Sequence, residues 1–290
     1  MTFKLEGHAH EVLLGAPLSA GERATVYEIS APSPTLKALC VKVYHAAPTA
    51  ARLAKLRAMV KLPTANALRA QHVCWPISLV SAGAERGEAR VVGYLTLRAH
   101  GVPLAALADR EERRARLAHW DRLSLCVLLR TWLTQTRHLN DAGVLLTDLR
   151  DEHVLFDALN PERLYLVSLD AAQVGAHLGA VAAPELLAPE LQGRRKSASS
   201  RVEIDEAQQR FAVAARLFGL LVPGGAPHSL TPREDLAALA AQRFPSPPEP
   251  PADAPPPPDP RAPRALRSWA LLTPALRDIF RRCFAHGERP

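Results

Sequence analysis

The sequence predicts an α+β chain, with a small β-rich amino-terminal part followed by a larger, mainly helical one. Three short β-like runs, Glu11–Leu18, Thr25–Ser30 and Ala38–Tyr44, the last rich in branched residues, lie within the first 44 residues. Helical spacing takes over later: Leu125, Leu128, Leu129, Trp132, Leu133, Thr136 and Leu139 recur on one face of a predicted long helix ending at Gly143. With 290 residues, 48% hydrophobic and 22% charged, the composition is that of a globular chain with a sizeable core.

In order along the chain, Ser19-Ala20-Gly21-Glu22 is predicted as the turn joining the first two strands. A helix over Thr49–Lys61 stops before Pro63, and Val91–Leu97 is a further strand. Arg98-Ala99-His100-Gly101-Val102-Pro103 reads as a connector, which sets an expected small part at 1–97 and a larger one at 98–290. Beyond the long helix, Val144–Thr147, Val154–Phe156 and Leu164–Leu169 are short apolar strands, with Asn160-Pro161 as the turn between the last two. Phe211–Leu221 is a strongly apolar helix and Ala275–Phe284 the last helix. Residues 245–264 hold eleven of the 26 prolines, so an extended, polyproline-like spacer is expected there. The four tryptophans, Trp75, Trp120, Trp132 and Trp269, are expected in core or interlobe packing and not in ligand stacking.

Several function classes are argued against. No run of about 18 apolar residues is present, so no spanning helix is expected. The amino-terminus lacks a basic stretch leading into an apolar one, as a secretory signal would have. Cys40, Cys74, Cys126 and Cys283 stand far apart without a CxxC pair, which fits a reducing cytoplasm better than a disulfide framework or a zinc site. A net charge of +7 invites nucleic acid as a partner, but the basic residues are spread along the chain without a nucleic-acid motif.

Three charged residues interrupt or end apolar strands. Lys42 lies within Cys40-Val41-Lys42-Val43-Tyr44, Asp148 follows Val144-Leu145-Leu146-Thr147, and Asp170 ends Leu166-Val167-Ser168-Leu169. A charge so placed is normally paired or set against a ligand, because burying it alone costs several kcal/mol (roughly, after relaxation).

The order and spacing of these segments resemble a protein kinase. Leu18-Ser19-Ala20-Gly21-Glu22-Arg23-Ala24-Thr25-Val26-Tyr27 looks like the nucleotide-covering loop, with Gly21 as its one retained glycine and Ser19 and Ala24 in glycine places. Cys40-Val41-Lys42 is similar to the strand of the phosphate-binding lysine. Leu146-Thr147-Asp148-Leu149-Arg150-Asp151-Glu152-His153-Val154-Leu155 looks like the catalytic loop, Leu169-Asp170-Ala171-Ala172 like the DFG segment, and Ala188-Pro189-Glu190 like APE. More narrowly, Val41–Tyr44, Lys55–Met59, Trp75-Pro76, Val92–Leu95, Leu187–Leu191 and Leu217–Leu221 resemble a bacterial kinase-like family encoded beside von Willebrand A proteins and PP2C-type phosphatases in tellurite-resistance-associated clusters.

That resemblance implies a bilobal fold and ATP- and Mg²⁺-dependent phosphorylation of a protein Ser or Thr. Lys42 would hold the α- and β-phosphates, Asp170 the metal with His153 beside it, and Asp148 would take the acceptor proton with Arg150 neutralising charge. Adenine would lie against Val26 and Cys40, bonded to the connector backbone near Leu97 and Ala99. Glu190 and Arg289 would form a structural ion pair, and a von Willebrand A protein and a PP2C-type phosphatase are the implied partners. The departures open two alternatives. No Asp or Glu occurs from residue 29 through 84, so the helix after Lys42 offers Arg52, Lys55 and Arg57 in place of the usual glutamate. His153 replaces a metal-binding Asn, Ala171-Ala172 lack the usual Phe, and Gln209 stands where a helix-anchoring Asp is expected. These losses describe a nucleotide-binding or inactive pseudokinase scaffold. The spacing from Asp148 to His153 also resembles the sugar kinases of the lipopolysaccharide core. Asp170–Glu190 contains no Ser, Thr or Tyr, so a phosphorylated activation loop is excluded as the switch. The nearest hydroxyls are Ser197, Ser199 and Ser200, beside Arg194-Arg195-Lys196.

Overall fold

The computed structural model describes residues 2–6, 11–30, 34–82, 90–179, 186–188, 191, 203–222 and 268–284. Glu190, Arg289, Ser197 and the proline-rich 245–264 lie outside those residues. The chain divides into two compact units that alternate along the sequence. One comprises Met1–Pro103, Trp120–Val144 and Glu152–His177, and the other Leu104–His119, Leu145–Asp151 and Leu178–Pro290.

The first unit is built on six antiparallel strands: β1 (Thr2–Leu5), β2 (Glu11–Ala20), β3 (Ala24–Ile29), β4 (Leu39–Tyr44), β5 (Ser78–Ala82) and β6 (Arg90–Leu97). They close into a barrel in the order β1-β2-β3-β4-β6-β5, with β1 pairing back onto β5. Closure removes the exposed strand edges that an open sheet presents. Phe3, Val12, Ile29, Val41, Val80 and Leu95 fill the interior, with Leu39 and Val43 packed against them. Alternation along β4 therefore assigns Leu39, Val41 and Val43 to the core and Cys40, Lys42 and Tyr44 to the opposite face. The expected turn shifts by two residues: Ser19 and Ala20 pair with Val26 and Thr25, which leaves Gly21–Arg23 as the connection.

Helix α1 (Pro34–Lys37) precedes β4. Thr49 caps helix α2 (Ala50–Val60) by accepting a bond from the Arg52 amide, and α2 buries Lys55, Leu56 and Met59. After helix α3 (Ala65–Ala70), the fully buried Trp75 donates its indole N–H to the Met59 carbonyl at 2.8 Å. The long helix spans Arg122–Asp141, capped by Asp121, with Gly143 in the left-handed region at φ 71° just beyond. Leu128, Trp132 and Leu139 of this helix are buried as expected, but Leu133 is 46% exposed because it falls at the edge of the buried face.

Strands β7 (Val102–Pro103), β9 (Val154–Asp157) and β10 (Asn160–Leu166) form a small sheet, and β8 (Val144–Leu145) ends two residues earlier than its apolar run suggested. Asn160 pairs with Asp157, so the hairpin turns at Ala158-Leu159 and not at Asn160-Pro161. Gln135 secures the long helix to this hairpin by donating to the Leu164 carbonyl at 2.7 Å. Trp120 is half-buried; its ring lies tilted against Phe156 at 4.8 Å, and its indole N–H donates to the Ala158 carbonyl.

In the second unit the helix Glu206–Leu221 starts at the capping Asp205 and meets the helix Pro274–Phe284 through aromatic rings. Phe218 lies edge-on to Phe280 at 5.2 Å and to Phe284 at 5.7 Å, and Trp269 sits 5.8 Å from Phe218. Gln208 ties the strip Leu186–Ala188 to the first of these helices. Its side chain accepts from the Ala188 amide at 2.6 Å and donates to the Leu186 carbonyl at 2.8 Å.

Candidate functional site

The barrel register builds the first half of the site. Lys42 on β4 is directly opposite Tyr94 on β6, and Tyr44 is two residues along β4 from Lys42, so all three side chains share the face turned away from the core. The chain brings its carboxylate to that face by a sharp bend. Beyond β10, Ser168 adopts φ 59°, a left-handed conformation that is uncommon without glycine, and a single 3₁₀ turn, Leu169–Ala171, follows.

Asp170, 6% exposed, is met there by three donors. Lys42 Nζ donates to Oδ1 at 2.6 Å, the Tyr94 hydroxyl to the same oxygen at 3.0 Å, and the Tyr44 hydroxyl to Oδ2 at 2.9 Å. Lys42 also reaches Ser168 Oγ at 3.4 Å. Asp170 is thus the counter-charge that Lys42 contacts. Burial pushes the Asp170 carboxyl up, but the Lys42 charge and the bonds from Lys42, Tyr44 and Tyr94 hold it below the ordinary aspartate value. Burial, reinforced by Asp170, raises both phenols, so each stays a neutral donor.

Where a glutamate partner for Lys42 is lacking, α2 presents Lys55, 7% exposed, whose Nζ donates to the Ala172 carbonyl at 2.8 Å. The helix is thus tied to the residues after Asp170 by a cation on a backbone carbonyl. Arg52 of the same helix lies over the Tyr44 ring at 5.2 Å.

At the expected base-binding end, Cys40 is buried and its Sγ donates to the Leu97 carbonyl at 3.4 Å. Burial pushes its thiol up to about 12, with Arg98 opposing, so this cysteine is a neutral donor too. Val26, Leu97 and Ala99 are half-buried, Ala24 is buried, and Ser19 and Gly21 are exposed. In the loop they border, the Gly21 amide donates to the Ala24 carbonyl at 2.9 Å, and the His45 amide donates to the Arg23 carbonyl at 3.0 Å. The His45 ring spans Glu22 O at 3.1 Å and Thr25 Oγ1 at 2.9 Å.

Asp148 belongs to the second unit. Its side chain is 7% exposed, and Arg150 grips both oxygens, Nε on Oδ1 at 2.8 Å and Nη2 on Oδ2 at 2.9 Å. Arg216 steadies the same loop through the Leu149 carbonyl at 2.9 Å and Asp151 at 3.4 Å. His153 closes a short 3₁₀ turn, and its carbonyl accepts the Val167 amide at 2.9 Å.

Mg²⁺ in phosphate-transfer sites is held by one or two carboxylates together with substrate phosphates. Here a lysine and two phenols already use the carboxylate, and among the described residues no cluster of three or more His, Cys, Asp or Glu is placed to hold a metal. Tyr44 and Tyr94 were not among the sequence candidates, and Lys55 was named only with Arg52 and Arg57 as a cation of the helix after Lys42. Tyr44 could have been found from its place two residues beyond Lys42 on the same strand.

No protein-family model matches the chain, and the search of curated proteins gives no match. Solved structures do. ROP2 of Toxoplasma gondii, a virulence factor described as having a protein-kinase fold and no enzymatic activity, aligns with TM-score 0.58 and 15% identity over 82% of this chain and 70% of that one. A rhoptry antigen kinase domain of the same organism aligns with TM-score 0.56 and 15% identity over 84% of this chain and 79% of that one. A T. gondii rhoptry kinase gives TM-score 0.56 and 14% identity over 82% and 68%. The chain therefore has an α+β, protein-kinase-like fold. Among the described residues no helix is long and apolar enough to cross a membrane.

Proposed function

We propose that this kinase-like protein is a pseudokinase scaffold: it uses the fold to bind a partner and does not transfer phosphate. The observation that carries the reading is the occupied carboxylate, Asp170, enclosed by Lys42, Tyr44 and Tyr94. A metal-dependent kinase keeps this group open to the ion that neutralises the transferring phosphate. Exposing it here would break three buried hydrogen bonds and leave a lysine without its partner. Other contacts support the same reading: Cys40 on the Leu97 carbonyl, the Gly21 amide spent within its own turn, and Arg150 on Asp148. The absence of enzymatic activity ascribed to ROP2 is in keeping with it.

The second reading is Mg²⁺- and ATP-dependent phosphorylation of a protein Ser or Thr, favoured by the Lys42–Asp170 pair at 2.6 Å. On either reading the sequence segments quoted above favour a cytoplasmic member of the bacterial tellurite-cluster family, with a von Willebrand A protein and a PP2C-type phosphatase as partners.

Thermal unfolding with ATP, in the presence and absence of Mg²⁺, separates the two. A ligand at a hundred times its Kd stabilises by about 2.7 kcal/mol, roughly 5 °C for a chain of this size. The scaffold reading expects no Mg²⁺-dependent shift and no label from γ-labelled ATP entering protein. A shift of that size, with incorporation abolished by Asp148→Ala, would instead establish the enzyme.

A further inference from the structure

The long helix Arg122–Asp141 buries one side, through Leu128, Trp132 and Leu139, and exposes an apolar row on another. Leu123 is 69% exposed and Leu133 46%, and Cys126, Arg130 and Arg137 are exposed as well. These five residues follow one another at intervals of three, four, three and four, so on a helix they fall in one stripe about 80° wide. That is the spacing of a helix-to-helix seam. A single exposed leucine is ordinary, but an aligned row marks a surface that something covers. The stripe also carries charge of one sign, since no Asp or Glu occurs between Asp121 and Asp141. Arg130 meets Glu162 at 3.3 Å in a pair exposed at both ends, and Arg137 has no ion pair among the described residues. A surface pair of that kind contributes little, so Arg130 is readily re-partnered. At the amino-terminal end the Trp120 indole holds the Ala158 carbonyl, which brings the hairpin residue Leu159, 86% exposed, to the start of the helix.

We infer that this stripe is the docking surface for an acidic amphipathic helix of a partner protein. Apolar side chains of that helix would cover Leu123, Cys126 and Leu133, and its carboxylates would meet Arg130 and Arg137. From Leu123 to Arg137 the stripe runs about 21 Å, the length of about four helical turns. Charge decides among the occupants. A second copy docked by the same face would set Arg130 and Arg137 against their own kind. An anionic lipid surface calls for a broad apolar face, and this helix already spends its larger apolar side inside the first unit. The inference names the kind of partner for the scaffold reading and rests on it, but its test uses no nucleotide, so each can fail alone.

The experiment is fluorescence anisotropy of a labelled peptide, acetyl-Leu-Glu-Ala-Leu-Ala-Glu-Ala-Leu-Glu-Ala-Leu-Ala-Glu-Ala-amide, titrated with the full chain. Its leucines repeat the spacing of the stripe. The Glu peptide should bind with a Kd below about 1 mM, and its Gln counterpart about tenfold more weakly or worse. Arg130→Glu combined with Arg137→Glu should weaken the Glu peptide by a similar factor and take up the Lys counterpart in its place. Leu123→Gln should weaken both the Glu and the Gln peptide. All three positions are exposed, so these variants should melt within about 1 °C of the natural chain. Absence of binding at millimolar concentration, or equal affinity for the Glu and Gln peptides, would overturn the inference. A dimer in sedimentation that Leu123→Gln dissociates would give the stripe to a second copy, and phosphatidylglycerol vesicles bound in place of the peptide would give it to a membrane; either result overturns the acidic helix.

Discussion

Asp170→Ala is expected to lower Tm by about 6–10 °C. The substitution strands the Lys42 ammonium, which is only 14% exposed, and leaves two buried phenols without an acceptor. Breaking a buried ion pair from one side costs about 3–5 kcal/mol, and each kcal/mol moves the melting point of a chain this size by roughly 2 °C. Removing a phenol donor is milder, so Tyr44→Phe and Tyr94→Phe should each cost about 1–3 kcal/mol, with interaction between them because both bond one carboxylate. An open metal ligand behaves differently: its loss abolishes the response to Mg²⁺ while leaving the metal-free melting temperature nearly unchanged. The pH dependence gives a second check. The folded Asp170 value is depressed, so its contribution is complete above the ordinary aspartate value and fades as pH falls toward the lower, folded one. The Tm gap between the natural chain and Asp170→Ala should therefore be full from neutrality down to about pH 4 and begin to close only below it. A gap that already shrinks between about pH 7 and 5 would mean that the carboxylate is not held by Lys42 and the phenols.

Much of this site was legible in the sequence, and the part that was not has a definite cause. Lys42 and Asp170 each break an apolar run, and an unpaired charge at such a place is expensive enough to advertise itself. The absence of acid from residue 29 through 84 likewise showed that α2 lacks a carboxylate for Lys42. Tyr94 was invisible because its role depends on cross-strand register, Lys42 opposite Tyr94. A shift of one residue would have turned that ring into the barrel. Barrel closure was missed for a related reason. β1 has four residues and β5 five, and each makes sense only as the neighbour of the other. Asp148 illustrates the opposite limit: its motif was plain, but the fork from Arg150, two residues away, is a side-chain geometry that no spacing rule specifies.

The same register makes Gly93 the position least able to accept a side chain, and Gly93→Ala should be among the most damaging single changes in the first unit. Gly93 pairs with Val43 on β4 and with Val80 on β5. A Cβ built there would lie 2.0 Å from the Lys42 carbonyl oxygen and 2.9 Å from its carbon, both backbone atoms that cannot rotate away. β4 must therefore shift, and with it Lys42, while Tyr94 follows Gly93 directly on β6; the substitution attacks barrel and site together. Overpacking commonly costs about 1–3 kcal/mol, but a clash with backbone on a closed barrel belongs with the exceptional changes above about 4 kcal/mol. The expected result is a Tm lower by roughly 8 °C or more, with loss of near-ultraviolet dichroism from the buried tyrosines. Gly175→Ala is the control: its φ of 52° is left-handed, yet nothing lies within 4 Å of the added carbon, so conformational strain alone should cost about 1–2 kcal/mol. Similar melting temperatures for the two variants would contradict the close approach of β4 and β6, and with it the placement of Tyr94 on Asp170.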